Sequence, residues 1–115
     1  MIQRIEPGPR MSEASIHNGI VYLAGQVAED PSGDAEAQTR QVLAQIDALL
    51  AHAGSDKSRI LRAQIYLADI ADFAAMNRAW DAWVAPGNGP SRATVEARLA
   101  DPSWKVEIVV TAAIG

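Results

Sequence analysis

Two short apolar runs near the start of the chain are separated by Asn18-Gly19. Ala14-Ser15-Ile16-His17 precedes this pair and Ile20-Val21-Tyr22-Leu23-Ala24 follows it. A two-residue Asn-Gly loop between such runs is the strongest short hairpin signal, because both residues tolerate positive φ. The pattern predicts strands over 13–17 and 20–27. After the turn Pro31-Ser32-Gly33-Asp34 the period changes. Val42, Leu43, Ile46, Leu49, Leu50 and Ala53 recur at helical spacing and predict a helix over 34–52. Asp34 suits its N-cap and Gly54 its C-terminal cap, and Glu36 and Arg40 form a favourable i,i+4 pair.

A strand is predicted over 60–68. Asp69 and Asp72 can cap a second helix over 71–84, with Phe73, Met76, Trp80 and Trp83/Val84 on one face. The Pro/Gly-rich segment 85–90 reads as a loop. Strands over 92–98 and 105–113 complete the order β-β-α-β-α-β-β, an α+β class with one sheet and two helices on one face.

Alternation gives the strands unequal faces. Leu61, Ala63, Ile65 and Leu67 share one face of the third strand, and Arg62, Gln64 and Tyr66 the other. In the last strand Val106, Ile108, Val110 and Ala112 alternate with Lys105, Glu107, Val109 and Thr111. Two helices cover only one face, the apolar one. The mixed face is then either solvated or a subunit interface.

At 115 residues the chain is expected to form one domain, 1–115. No cysteine is present, which removes disulfides, thiolate catalysis and cysteine-ligated metals. No apolar run approaches the ~20 residues of a membrane span, and the N-terminus has no apolar leader core, so the cytoplasm is the expected compartment. Ten basic and fourteen acidic residues leave a net charge of −4. No basic stripe points to nucleic acid.

His17 and His52 show no metal-ligand spacing and read as surface histidines, so no metal is expected. Phosphate-binding glycine loops and a serine nucleophile elbow are missing. Arg92 and Glu107 stand out, fifteen residues apart on strands that could pair as neighbours. An arginine presents a fixed fork of donors that matches a carboxylate, and a glutamate in a partly dry cleft can position or deprotonate water. The competing reading makes both ordinary sheet-face charges, or a pair with each other. Asn77, beside the helix's apolar stripe, could order a ligand, although such a residue is more often simply exposed. Trp80, Trp83 and Trp104 read as packing residues rather than a base-stacking platform.

Taken in order, Val21-Tyr22-Leu23-Ala24-Gly25-Gln26, Gln38-Thr39, Asp72-Phe73-Ala74-Ala75-Met76-Asn77, Pro90-Ser91-Arg92-Ala93-Thr94-Val95 and Val106-Glu107-Ile108 resemble the Rid (YjgF, reactive intermediate deaminase) family. The segment 72–84 is most similar to the YoaB-like (RidB) branch. The resemblance covers roughly residues 4 to 115. It implies a chorismate-mutase-like fold and a homotrimer whose sheets line a central barrel, with clefts between subunits. It also implies hydrolysis of reactive 2-imino (enamine/imine) acids to 2-oxo acids and ammonia, with no cofactor.

Carried over by position, the resemblance makes Arg92 the clamp for the substrate carboxylate and Glu107 the holder of the attacking water. Asn77, Thr94, Ala24, Gly25 and Met11 become cleft residues. Met11 falls where active members often carry tyrosine, Ala24 where they often carry serine, and Thr94 where they often carry cysteine. Two readings follow. One is an imine deaminase acting on a small imino acid. The other is a non-catalytic trimeric module that binds small carboxylates or 2-oxo acids. A ribonuclease, a label relatives have carried, fits the acidic balance poorly.

Overall fold

Asp34 and Gly54 bracket the first helix, α1 (Ala35–Ala53), as their chemistry requires. The Asp34 carboxylate accepts from the Ala37 amide at 2.9 Å, and Gly54 takes the left-handed conformation at φ 84°. In the hairpin, Asn18 and Gly19 both have positive φ, 52° and 76°, and join β2 (Ala14–His17) to β3 (Ile20–Leu23). The remaining elements are β1 (Gln3–Ile5), β4 (Ile60–Leu67), α2 (Phe73–Trp83), β5 (Ser91–Glu96) and β6 (Val106–Ala113). This computed structural model describes all 115 residues.

The six strands form one mixed sheet in the order β1-β2-β3-β6-β4-β5, antiparallel throughout except for the parallel pair β4–β5. β6 alternates buried and half-buried positions along its whole length, as its sequence predicts. Val106, Ile108, Val110 and Ala112 share one core with Val42, Leu43, Ile46 and Leu50 of α1 and Met76 and Trp80 of α2. Both helices therefore cover one face. Burying each large apolar side chain there contributes about 1.5–3 kcal/mol, which drives that choice of face.

Four expectations need correction. β1 adds a first strand, so the order is β-β-β-α-β-α-β-β; three residues, Gln3-Arg4-Ile5, are too few to show a period. β3 ends at Leu23, and the sheet resumes only as a bridge between Gln26 and Ile108. A register shift between Ile60 and Arg62 puts Ile60 in the core and leaves Leu61 exposed, because a bulge reverses the alternation upstream of it. Phe73 opens α2 and is exposed, outside the buried stripe of Met76, Ala79 and Trp80.

Gln38 is fully buried and ties distant segments together. Its amide nitrogen donates to the carbonyls of Pro31, Gly33 and Ser103, and its oxygen accepts from the Lys105 amide at 2.9 Å. The start of α1 thus anchors the chain just before it enters β6. Thr39, also buried, satisfies its hydroxyl on the Ala35 carbonyl at 2.7 Å.

Candidate functional site

Arg92 and Glu107 are not on neighbouring strands. β4 lies between β5 and β6, so the expected pairing of their strands is wrong. Arg92 sits opposite Ala63, and Ala63 opposite Val110, whereas Glu107 sits opposite Tyr66. Two strand spacings and three residues of rise separate the α-carbons by about 14 Å. Residues paired across a sheet share a face. Arg92 follows the buried Ala63 towards the helices, and Glu107 shares the opposite face with Tyr66. The ion pairs of the chain are Arg40–Glu36, Arg59–Asp56 and Arg78–Glu36, so Arg92 and Glu107 do not pair with each other.

Two candidate clusters result. The first lies where β5 meets α2. The Arg92 guanidinium carbon lies over the Trp80 ring, 5.1 Å from its centre, and its Nη1 is 4.0 Å from Met76 Sδ. Burial pulls its pKa down, and the charge of Asp81 opposes that shift. Arginine nonetheless stays protonated. Thr94, two residues on, shares the face of Arg92, opposite the buried Ile65. Asn77 follows Met76 on α2. Contrary to expectation it is half-buried, and its Oδ1 and the Thr94 Oγ1 are both buried without a hydrogen-bond partner. Buried polar groups are almost always satisfied, so these two unpartnered oxygens are exceptions in this fold.

The second cluster lies on the other face around Glu107. Gly25 passes directly beneath its carboxylate, and a Cβ there would meet Glu107 Oε2 at 2.0 Å. Gly25 lies in the gap between the end of β3 and the Gln26–Ile108 bridge. Gln26 is buried and exchanges two backbone hydrogen bonds with Ile108, 2.9 and 3.1 Å. Its side chain donates to the Ala24 carbonyl and to Glu13, and accepts from Gln45. Ala24 is half-buried, with its amide bonded to the Glu13 carbonyl at 2.9 Å. Met11 lies in the loop before β2 with its side chain exposed. Tyr22 and Val95 are also large, exposed apolar side chains; Tyr22 pairs with Thr111 and Val95 with Tyr66, so both belong to the Glu107 face.

The structure thus puts Arg92 and Thr94 on one face of the sheet, with Asn77 next in sequence to the Met76 that meets Arg92, and places Gly25 under Glu107 on the other. Sequence reasoning missed Met76 and Trp80 as the seat of Arg92. Their i,i+4 spacing was visible but also reads as packing. Gln45 and Glu13, which brace the Gly25 segment, carried no signal of their own. His17 and His52 are exposed on separate elements, and no group of three His, Cys, Asp or Glu side chains is placed to hold a metal ion. No helix is long and apolar enough to cross a membrane.

Residues 1–114 match the family described as endoribonuclease L-PSP. A RutC family protein of Haemophilus ducreyi is 62% identical over 114 residues, covering 99% of this chain and 97% of its own. The RutC family protein YoaB of Escherichia coli is 53% identical, covering 98% of each chain. The crystal structure of a YjgF-family protein from Neisseria meningitidis superposes with a TM-score of 0.97 at 52% identity, covering 100% of this chain and 96% of the other. By sequence and by fold, the chain belongs to the endoribonuclease L-PSP family, that of the YjgF/Rid proteins.

Proposed function

We propose that this protein hydrolyses reactive 2-imino acids to 2-oxo acids and ammonia, in clefts formed between the subunits of a cytoplasmic homotrimer. The observation that carries this reading is Arg92, a half-buried guanidinium with no carboxylate partner of its own, on the same strand face as Thr94, whose buried hydroxyl is unpartnered. Family membership supports the reaction class. Because Arg92 and Glu107 face opposite ways, a small substrate that meets both needs Arg92 from one copy and Glu107 from another. The exposed Tyr22 and Val95 beside Tyr66 and Val109 supply an apolar surface for that contact, with the sheets of three copies lining a central barrel.

In this mechanism the Arg92 fork binds the substrate carboxylate through two charge-assisted hydrogen bonds. Glu107 takes a proton from a water that attacks C2 of the imine. Glu107 passes that proton to the imine nitrogen, giving the neutral carbinolamine. As this collapses, Glu107 carries the hydroxyl proton to the same nitrogen, the C–N bond breaks, C2 becomes the 2-oxo carbonyl and ammonia leaves. Thr94 and Asn77 offer polar atoms to the bound substrate or its water. Ala24, Gly25 and Met11 line the Glu107 side.

Met11 and Ala24 bring no hydroxyl to the Glu107 side, and that favours a second reading, a trimer that binds small carboxylates without turning them over. The family description names a ribonuclease. A net charge of −4 and two separate, exposed histidines give phosphodiester chemistry neither an electrostatic footing nor a paired acid and base.

The test is a coupled assay in which an amino-acid oxidase generates the imino acid in situ and semicarbazide traps what escapes hydrolysis. Wild type clears the imine, and Arg92→Ala loses about 30- to 4,000-fold, the value of a buried charged contact. Retention of most activity by Arg92→Ala removes Arg92 from the mechanism. A folded wild type that binds 2-oxobutanoate but clears no imine leaves the binding-module reading.

A further inference from the structure

Arg92 is held by something other than a carboxylate. Trp80 and Met76, one helical turn apart on α2 and both buried, are its nearest partners, at 5.1 Å and 4.0 Å. Behind Trp80 stands Trp83, the ring centres 5.3 Å apart and the planes inclined by 55°. The Trp83 indole N–H donates to Asp47 of α1 at 2.9 Å. Lys57, in the turn before β4, places its ammonium 5.4 Å from the Trp83 ring centre. These contacts run in series from α1 through α2 to the edge strand β5.

A guanidinium can be oriented in two ways. An acidic side chain would orient it by occupying its fork, which is the surface a ligand carboxylate needs. An aromatic face instead attracts the cation through the ring quadrupole and fixes the guanidinium plane, leaving the in-plane N–H donors free. A thioether sulfur is too weak an acceptor to compete with a carboxylate. This chain uses the second arrangement. Asp81 is close enough to be felt by Arg92 but forms no ion pair with it.

We infer that Trp80, buttressed by Trp83 and through it by Asp47, is a positioning residue that presents the open Arg92 fork to a ligand carboxylate. The inference rests on the function proposed above only for the identity of that carboxylate. The geometry of the buttress does not depend on it.

The experiment compares wild type, Trp80→Phe, which keeps an aromatic face, and Trp80→Leu, which keeps bulk and apolarity without one. The first readout is NMR of the Arg92 Nε–Hε group. An order parameter near the rigid value of about 0.85 is expected in wild type and Trp80→Phe, falling towards about 0.6 or below in Trp80→Leu. The second is affinity for benzoate, with benzamide as the uncharged control. Benzoate binding weakens roughly three- to thirty-fold in Trp80→Leu and is largely retained in Trp80→Phe. In turnover, KM for the imino acid rises with little change in kcat, as expected for loss of ground-state anchoring.

A folded Trp80→Leu that binds benzoate as tightly as wild type overturns the inference. A mobile Arg92 Nε–Hε in wild type, with no cross-relaxation to the Trp80 ring, overturns it without recourse to any variant, and so decides the matter even if Trp80→Leu does not fold. A wild type that clears no imine, yet shows a rigid Arg92 that loosens in Trp80→Leu, upholds the positioning role while the deaminase reading falls.

Discussion

A methyl group on Gly25 would lie 2.0 Å from Oε2 of Glu107, closer than any side chain tolerates. The backbone of Gly25 needs no left-handed conformation, so the constraint is the approach of the carboxylate and not the turn. Gly25→Ala is therefore expected to fold, since the end of Glu107 can swing away. On the proposed mechanism the displaced carboxylate no longer positions the attacking water. Imine hydrolysis should fall by about 10²–10⁴ in kcat, the range for a misplaced general base, with the melting temperature little changed. Steady-state kinetics beside a thermal melt checks this. Full activity in Gly25→Ala would show that the reaction does not depend on where Glu107 sits.

Gln38 links the start of α1 to the strand that carries Glu107. Gln38→Ala leaves the Lys105 amide and the carbonyls of Pro31, Gly33 and Ser103 without their partner in a buried place. The expected cost is about 2–4 kcal/mol. Arg40→Ala removes only an exposed ion pair to Glu36 and should leave stability nearly unchanged. Urea midpoints at fixed protein concentration compare the two, and equal effects would contradict the anchoring role of Gln38.

Three loops repeat one device. Asp30, Asp56 and Asp101 are each held below the ordinary carboxyl value by the serine two residues on, Ser32, Ser58 and Ser103. At Asp56 and Asp101 both its hydroxyl and its amide donate to the carboxylate, and at Asp30 its amide does, at 3.1 Å. On the helical surface Glu36 is lowered by hydrogen bonds from Arg78 and then Arg40. A depressed folded pKa adds stability that is complete above the unfolded value, near pH 4, and is lost as pH falls through the folded value. Stability should therefore decline below about pH 4. The triple variant Asp30→Asn, Asp56→Asn, Asp101→Asn should show a flatter decline. Melting temperatures measured from pH 6 to pH 2 test this, and identical slopes would refute it.

The helices were legible because Asp34 and Gly54 announce the ends of α1 and the apolar positions repeat inside it. The hairpin was legible from Asn18-Gly19 alone. Strand order was not, because nothing in Ser91–Glu96 says whether it pairs with β4 or β6. That choice is made by packing and by where the 97–105 segment is anchored, partly through Gln38. The same gap hid the site. Arg92 and Glu107 were recognisable as residue types, but their opposite facing depends on which residue of β4 each one meets. Leu61 and Ile60 exchanged places for a related reason, since a bulge shifts the alternation and leaves no mark in composition.

The opposite facing of Arg92 and Glu107 makes a prediction that neither single variant can make. If one copy supplies Arg92 and its neighbour Glu107, then Arg92→Ala and Glu107→Gln, each inactive alone, should complement when their subunits are mixed. In randomly mixed trimers at equal ratio, about one site in four pairs an intact Arg92 with an intact Glu107 on different chains, so about a quarter of wild-type activity should return. The experiment unfolds the two variants together, refolds them and compares the activity with each variant refolded alone. A site built within a single chain gives no recovery at any mixing ratio, because every chain then lacks one of the two groups. The double variant carrying both changes on one chain supplies the control. Mixed equally with wild type, it leaves a site intact only when both neighbours are wild type, again about one in four, whereas a site within one chain would retain about half. The pair of mixtures therefore reads out directly whether the cleft belongs to one subunit or to two.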